Sequence, residues 1–186
     1  MSNYWQSKTI KLRALEASDL DFFIALNQDT QRSQFIDWLR PPRSTIAIEH
    51  WLKEKAQQNM QDFQYQWMIE SLEGQTVGSI VTHSCDSRAG TFSYALDVLN
   101  KFQRRGYASE AIKLILNYYF QELRFQKVTV AVHSNNVASI ELHQHLGFQH
   151  EGRHRRMVFS EGTYYDLEWF GLTTEEYFQS QNALKL

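Results

Sequence analysis

Cysteine occurs once, at Cys85, so no disulfide can form within the chain. Proline occurs twice, at the adjacent positions Pro41 and Pro42. They break any helix there without requiring a domain boundary. Glycine is sparse, with eight in 186 residues, and no repeat or low-complexity tract appears. Long hydrophobic runs are missing too: "FFIAL" is far short of the roughly 20 residues that span a bilayer. The opening "MSNYWQSKTIKLRALEASD" lacks the apolar core of a signal peptide. Neither sign of charge dominates, with 19 Lys and Arg against 21 Asp and Glu. A net charge of −2 argues against a general nucleic-acid binder, which carries a basic face. These absences together predict a soluble protein of the reducing cytoplasm, with no membrane and no nucleic-acid partner.

The chain does have apolar and aromatic mass. Hydrophobic residues make up 42% and aromatics 14%, enough for one packed domain. "TIKLRAL" alternates as a strand. "LDFFIALNQ" reads as a helix opened by a Ser18–Asp21 capping box, and "STIAIEHWLKEKAQQNM" as a second helix capped by Ser44. "QYQWMIES" and "TVGSIVTHS" are strands around a turn at Gly74, and "TFSYALDVL" alternates as a third. A helix follows with Ala108, Ala111, Ile112, Ile115 and Tyr119 on one stripe. "KVTVAVHS" is a strand and "NNVASIELHQHLGF" a short helix closed by Gly147. "RRMVFSEGTYYDLEWFGL" is a hairpin around Ser160–Gly162. This order predicts an α/β or α+β domain built on one central mixed sheet.

The string Gln103-Arg104-Arg105-Gly106-Tyr107-Ala108 lies where a strand hands over to a helix. A helix start offers unpaired N–H groups and partial positive charge, which suits phosphate. Gly106 removes the Cβ that would hold a ligand off, and Lys101, Arg104 and Arg105 supply charge. The string matches neither G-x-x-x-x-G-K-S/T nor G-x-G-x-x-G. By itself it reads equally as a solvated basic turn. Asn136, Ser139 and His143 then fall on one stripe of the short helix, beside Ile140 and Leu146. Three polar groups in line on an inward stripe favour a ligand over three separate structural bonds.

"QRRGYASEA" followed by "NVASIELHQHLGF" resembles the GNAT superfamily of acyl-CoA-dependent N-acetyltransferases. The first string is similar to that family's Q/R-x-x-G-x-G/A pyrophosphate loop. The second is similar to its N-x-x-A/S-x-x-L-Y-x-x-x-G-F helix. The opening "LRALEASDLDFFIAL" and the closing "GTYYDLEWF" resemble the branch of ribosomal-protein N-terminal and polyamine acetyltransferases. The resemblance covers nearly the whole chain. It implies an α+β (α/β mixed) fold: one GNAT-like domain over 1–186, with a central mixed, mostly antiparallel twisted sheet flanked by helices on both faces.

The resemblance also implies acetyl-CoA as co-substrate. Its pyrophosphate is expected on the backbone N–H groups from Gln103 to Ala108. Its pantetheine is expected along the backbone of Val98 and Leu99, with Asn136 and Ser139 opposite. The implied reaction is direct attack of a neutral primary amine on the thioester in a ternary complex. The oxyanion takes a donor near Val98, and the departing thiolate an acid. His143 stands where the family places a tyrosine acid, and is expected to fill that role, with Tyr94 and Tyr107 in reserve. Asp97 is the expected base, with Asp166 and Glu168 as other carboxylates within the pattern. The missing tyrosine leaves one alternative, a non-catalytic acyl-CoA-binding or regulatory module.

The acceptor is expected between "QDTQRSQFIDWLRPPRS" and the final hairpin, at Trp38, Tyr164 and Asp166. Aromatics beside carboxylates suit a cationic amine, whether a small molecule or a peptide: a protein N-terminus, a polyamine or an aminoglycoside. No metal is expected, because His143 and His145 diverge on their helix and no second cysteine completes a site. A homodimer is an expectation from family analogy alone.

Overall fold

The computed structural model of the chain describes residues 3–36, 41–58 and 62–183. In chain order the elements are β1 (Ile10–Ala14), α1 (Leu20–Gln28), α2 (Thr30–Ile36), α3 (Thr45–Gln57), β2 (Gln66–Ser71), β3 (Thr76–Asp86) and β4 (Thr91–Val98). They continue as α4 (Tyr107–Gln121), β5 (Lys127–His133), α5 (Val137–His145), β6 (Gln149–Ser160), β7 (Thr163–Thr173) and α6 (Thr174–Ala183). The strands form one seven-stranded sheet in the order β1-β2-β3-β4-β5-β7-β6. Every described pairing is antiparallel except β4 with β5, which α4 connects as a parallel crossover. The mixed, mostly antiparallel α+β architecture is the expected one.

Alternation along the strands buries both faces. On one, Phe92 and Tyr94 of β4, Val128, Val130 and Val132 of β5, and Phe170 and Leu172 of β7 pack with Ile112, Ile115 and Tyr119 of α4. On the other, Met68 packs with Phe22, Phe23 and Leu26 of α1 and Ile48 and Leu52 of α3. The predicted stripe of α4 is therefore its core face: Ala111, Ile112, Ile115 and Tyr119 are all fully buried.

Three local expectations change. The turn before α1 is held by Asp19, not by Ser18 and Asp21: the Asp19 carboxylate accepts the Glu16 N–H at 3.0 Å. Asp19 is buried because the Arg13 guanidinium meets both its oxygens, at 2.9 and 2.6 Å. Second, α2 occupies a stretch that reads as loop. Its signal is Asp29, whose Oδ1 accepts the Arg32 N–H at 2.9 Å as a helix cap. Third, α6 follows β7, and its Tyr177 is buried against Phe120. "TEEYFQSQNA" carries few apolar residues, so periodicity alone does not reveal it.

Candidate active site

The parallel pairing of β4 with β5 is short. Thr91, Phe92 and Ser93 lie opposite Lys127, Val128 and Thr129, and no further pair forms. β4 runs on to Val98 and β5 to His133, so the strands splay and open a cleft. The Leu99 N–H bonds to the Val77 carbonyl at 3.0 Å, toward β3. By strand alternation the N–H and C=O of Val98 and Leu96 then face the cleft. The Leu99 carbonyl accepts the Phe102 N–H at 2.8 Å. Both backbone groups of Leu99 are thus used inside the protein. Of the two residues expected to offer backbone groups, Val98 faces the cleft, its carbonyl taking a long bond from Gln103 Nε2 at 3.5 Å, and Leu99 does not. Gly78 makes the strand end possible: a Cβ there would lie 2.3 Å from the Asp97 carbonyl.

At the mouth of the cleft, Asn100–Phe102 makes a single 3-10 turn. Gln103 closes the turn by donating from Nε2 to Asn100 Oδ1 at 2.8 Å. Arg104 and Gly106 both take positive φ, 60° and 81°, and α4 starts at Tyr107 with no side-chain cap. Among the described residues, no hydrogen bond uses the backbone N–H groups of residues 106 to 109. A Cβ on Gly106 would meet nothing within 4 Å. Lys101 Nζ and the Arg105 guanidinium flank the Phe102 ring, 4.9 and 5.5 Å from its centroid. Tyr107 and Ala108 form the partly exposed first turn of α4.

The opposite lip is α5. Asn136 Oδ1 accepts the Ser139 N–H at 3.2 Å and caps the helix. Its Nδ2 donates to the Phe35 carbonyl at 3.3 Å. Beside it the Oδ1 of Asn135 is buried with no hydrogen-bond partner among the described residues. The predicted C-terminus holds: Gly147 has φ 91°, and the Phe148 N–H returns to the His143 carbonyl at 3.0 Å.

His143 is 5% exposed. Its Nδ1 lies 2.7 Å from the Ser139 carbonyl, which only accepts, so Nδ1 carries the proton. Nε2 then holds the lone pair, and the Tyr94 hydroxyl donates to it at 2.9 Å. Burial pushes the imidazole pKa below its ordinary value, against a smaller upward pull from the Ser139 carbonyl. Burial also drives the Tyr94 hydroxyl well above its usual range. The imidazole is neutral, with both nitrogens occupied. That is poor preparation for the acid role expected of His143.

The expected base, Asp97, is also engaged. Its Oδ1 accepts Arg32 Nε at 2.8 Å and pairs with the same guanidinium through NH2. Asp29 Oδ2 accepts Asn100 Nδ2 at 2.6 Å. With the Asn136–Phe35 bond, α2 spans the cleft from the β4 lip to the α5 lip. Of the expected acceptor residues, Trp38 lies outside the described residues. Tyr164 is exposed, packed on Phe159 and beneath Arg156. Asp166 accepts the Arg156 N–H at 2.8 Å and lies 3.7 Å from Arg153. Glu168 is buried between His150 at 2.7 Å and Arg153 at 2.6 Å, a structural role. Among the described residues no group of His, Cys, Asp and Glu is arranged to hold a metal ion.

The family model for the acetyltransferase (GNAT) domain matches residues 9–149. The chain belongs to the GNAT acetyltransferase family. It is similar to an SPbeta prophage-derived uncharacterized N-acetyltransferase, YokL, of Bacillus subtilis: 36% identical over 174 residues, covering 94% of this chain and 95% of that protein. The spermidine N(1)-acetyltransferase of Escherichia coli is 23% identical over 84% of this chain and 81% of its own length. Among solved structures, spermidine N-acetyltransferase from Vibrio cholerae in complex with CoA and spermine superposes with a TM-score of 0.79. It is 22% identical and covers 92% of this chain and 99% of that one. The chain is thus a GNAT-family N-acetyltransferase related to polyamine acetyltransferases. Also among the described residues, no helix is long and apolar enough to cross a membrane.

Proposed function

We propose that the protein transfers an acetyl group from acetyl-CoA to a primary amine by direct attack, with both substrates bound together. The observation that carries this reading is the row of N–H groups at the start of α4 with no hydrogen-bond partner among the described residues, beside a splayed β4–β5 cleft. Pyrophosphate satisfies those donors and complements the helix dipole. The cleft-facing groups of Leu96 and Val98 can pair with the pantetheine amides as a missing strand would. A cleft-facing N–H at Val98 is a donor for the oxyanion of the tetrahedral intermediate.

The amine must arrive or become neutral, because an ammonium has no lone pair. Asp97 is neutralised by Arg32, so proton removal falls to water at the cleft mouth rather than to a free carboxylate. A polyamine leads the acceptor candidates, since acetyltransferases named for spermidine are among the relatives. A protein N-terminus and an aminoglycoside are the other amines this reading admits.

The test is release of free thiol from acetyl-CoA against polyamines, N-terminal peptides, aminoglycosides and amino acids. Gly106→Trp is run alongside to place bulk at the start of α4. Release that depends on one acceptor class and disappears in Gly106→Trp supports the reading and names the class. Absence of CoA binding to the wild-type protein overturns it.

A further inference from the structure

β4 and β5 share only three paired positions, and α5 follows β5 after a three-residue turn. The two lips of the cleft therefore need another tie if their spacing is to be fixed. Tyr94 is the first β4 residue beyond the last pair, Ser93 with Thr129. Its ring lies beside His143 of α5, with centroids 5.9 Å apart and planes 26° from parallel. Phe170 of β7 lies beyond the imidazole, at 6.2 Å and 19°. Phe148 meets the imidazole edge-on at 5.0 Å. Three near-parallel rings thus step from β4 over β5 to β7, with one hydrogen bond inside the stack.

That bond is buried at both ends: Tyr94 is 7% exposed and His143 5%. Water cannot compete for it, and losing either partner strands a buried polar atom. Nδ1 is committed to the Ser139 carbonyl, so ring tautomer and orientation are fixed from within α5. The same helix turn carries Asn136 and Ser139, the polar groups of the cofactor-facing lip.

Resting on the acetyl-CoA reading above, we infer that Tyr94 and His143 form a positioning pair that sets the width of the cofactor cleft, with His143 acting through Tyr94 and not on the thiolate. The pair holds α5 at the distance from β4 at which both lips reach one pantetheine arm. Its loss weakens cofactor binding first and slows the chemical step less.

The experiment measures CoA affinity by calorimetry and, with an active acceptor, kcat and KM for acetyl-CoA from pH 6 to 9. The proteins are wild type, Tyr94→Phe, His143→Phe and His143→Gln. Thermal melts check folding. Tyr94→Phe and His143→Phe are expected to weaken CoA binding about tenfold, the effect of one stranded buried hydrogen bond. kcat should fall less than threefold, with the wild-type pH profile kept. A glutamine can accept from Tyr94 and donate to the Ser139 carbonyl, so His143→Gln should recover most of the affinity. The inference is overturned if CoA affinity is unchanged in Tyr94→Phe and His143→Phe. It is also overturned if both His143 variants lose kcat alike and change its pH profile, the mark of an acid. Calorimetry needs no acceptor, so a wrong acceptor choice leaves this result readable. Wild-type protein that binds no CoA removes the acetyl-CoA reading and this pair's role with it.

Discussion

Two helices begin at the same cleft and are finished differently. α5 is capped: Asn136 fills its first turn with a side-chain oxygen, and Gly147 with Phe148 closes its other end. α4 begins on a left-handed glycine with no side-chain cap, and its first N–H groups have no hydrogen-bond partner among the described residues. A bare helix start costs stability, because orphan donors at a terminus normally find a side chain or water. On the acetyl-CoA reading proposed here, the open start of α4 receives the cofactor's pyrophosphate. The closed one holds the opposite wall in place.

The comparison breaks most sharply at Gly106. Gly106→Trp places an indole over the open donors and strains a φ of 81°; CoA affinity should fall by at least about 100-fold, read by calorimetry. The folded state should survive, because nothing lies within 4 Å of that Cβ. On the other lip, Asn136→Ala removes a cap and should cost about 1 kcal/mol in denaturant unfolding. It should also weaken CoA about tenfold through loss of a lip contact. An unchanged unfolding midpoint would show the cap to be idle. Asp97→Asn sharpens the contrast between a base and a tether. The Arg32 pair is mostly buried, with side-chain exposures of 15% and 20%. Its loss should cost about 1–3 kcal/mol and lower kcat less than tenfold, with Arg32→Gln doing the same. A fall of about 100-fold or more in Asp97→Asn alone would instead mark a base.

A gentler probe is pH. The folded His143 pKa lies below its ordinary value, so the neutral form favours the fold. That contribution is complete above about pH 6.5 and is lost as pH falls toward the folded pKa. Groups facing the imidazole are Tyr94, Phe148, Phe170 and the Ser139 carbonyl; none is a carboxylate that would hold the imidazolium. The melting temperature between pH 7.5 and 5 should therefore drop more for wild type than for His143→Phe. Smallest of all, Lys101→Ala should weaken CoA about threefold and flatten its salt dependence. An effect confined to low salt would leave Lys101 a bystander beside Phe102.

Much of this was legible in the residues. Strand alternation and the α4 stripe gave the sheet and its core, because burial enforces a period that composition displays. The loop around Gly106 and the Asn136–Ser139–His143 stripe were both readable. They lie on short local segments whose spacing is their geometry. Less was readable where a group's role depends on a partner far along the chain. Asp97 reads as a free carboxylate until Arg32, 65 residues earlier, closes on it. His143 reads as an available acid until Tyr94, 49 residues away, takes its open nitrogen. Glu168 likewise disappears between His150 and Arg153. α2 escaped because seven residues carry too little periodicity, although Asp29 announced its start.

By itself, then, the amino-acid sequence determined which segments are strands and helices, where the phosphate-type loop sits, and which family motifs follow one another. Those are properties of neighbours within about two helical turns, fixed by steric and hydrogen-bonding rules that act locally. Only the tertiary structure decided how far β4 parts from β5, which donors stay open, and which titratable groups are spent. Those follow from side chains meeting across the cleft, where burial removes water and one contact settles a protonation state.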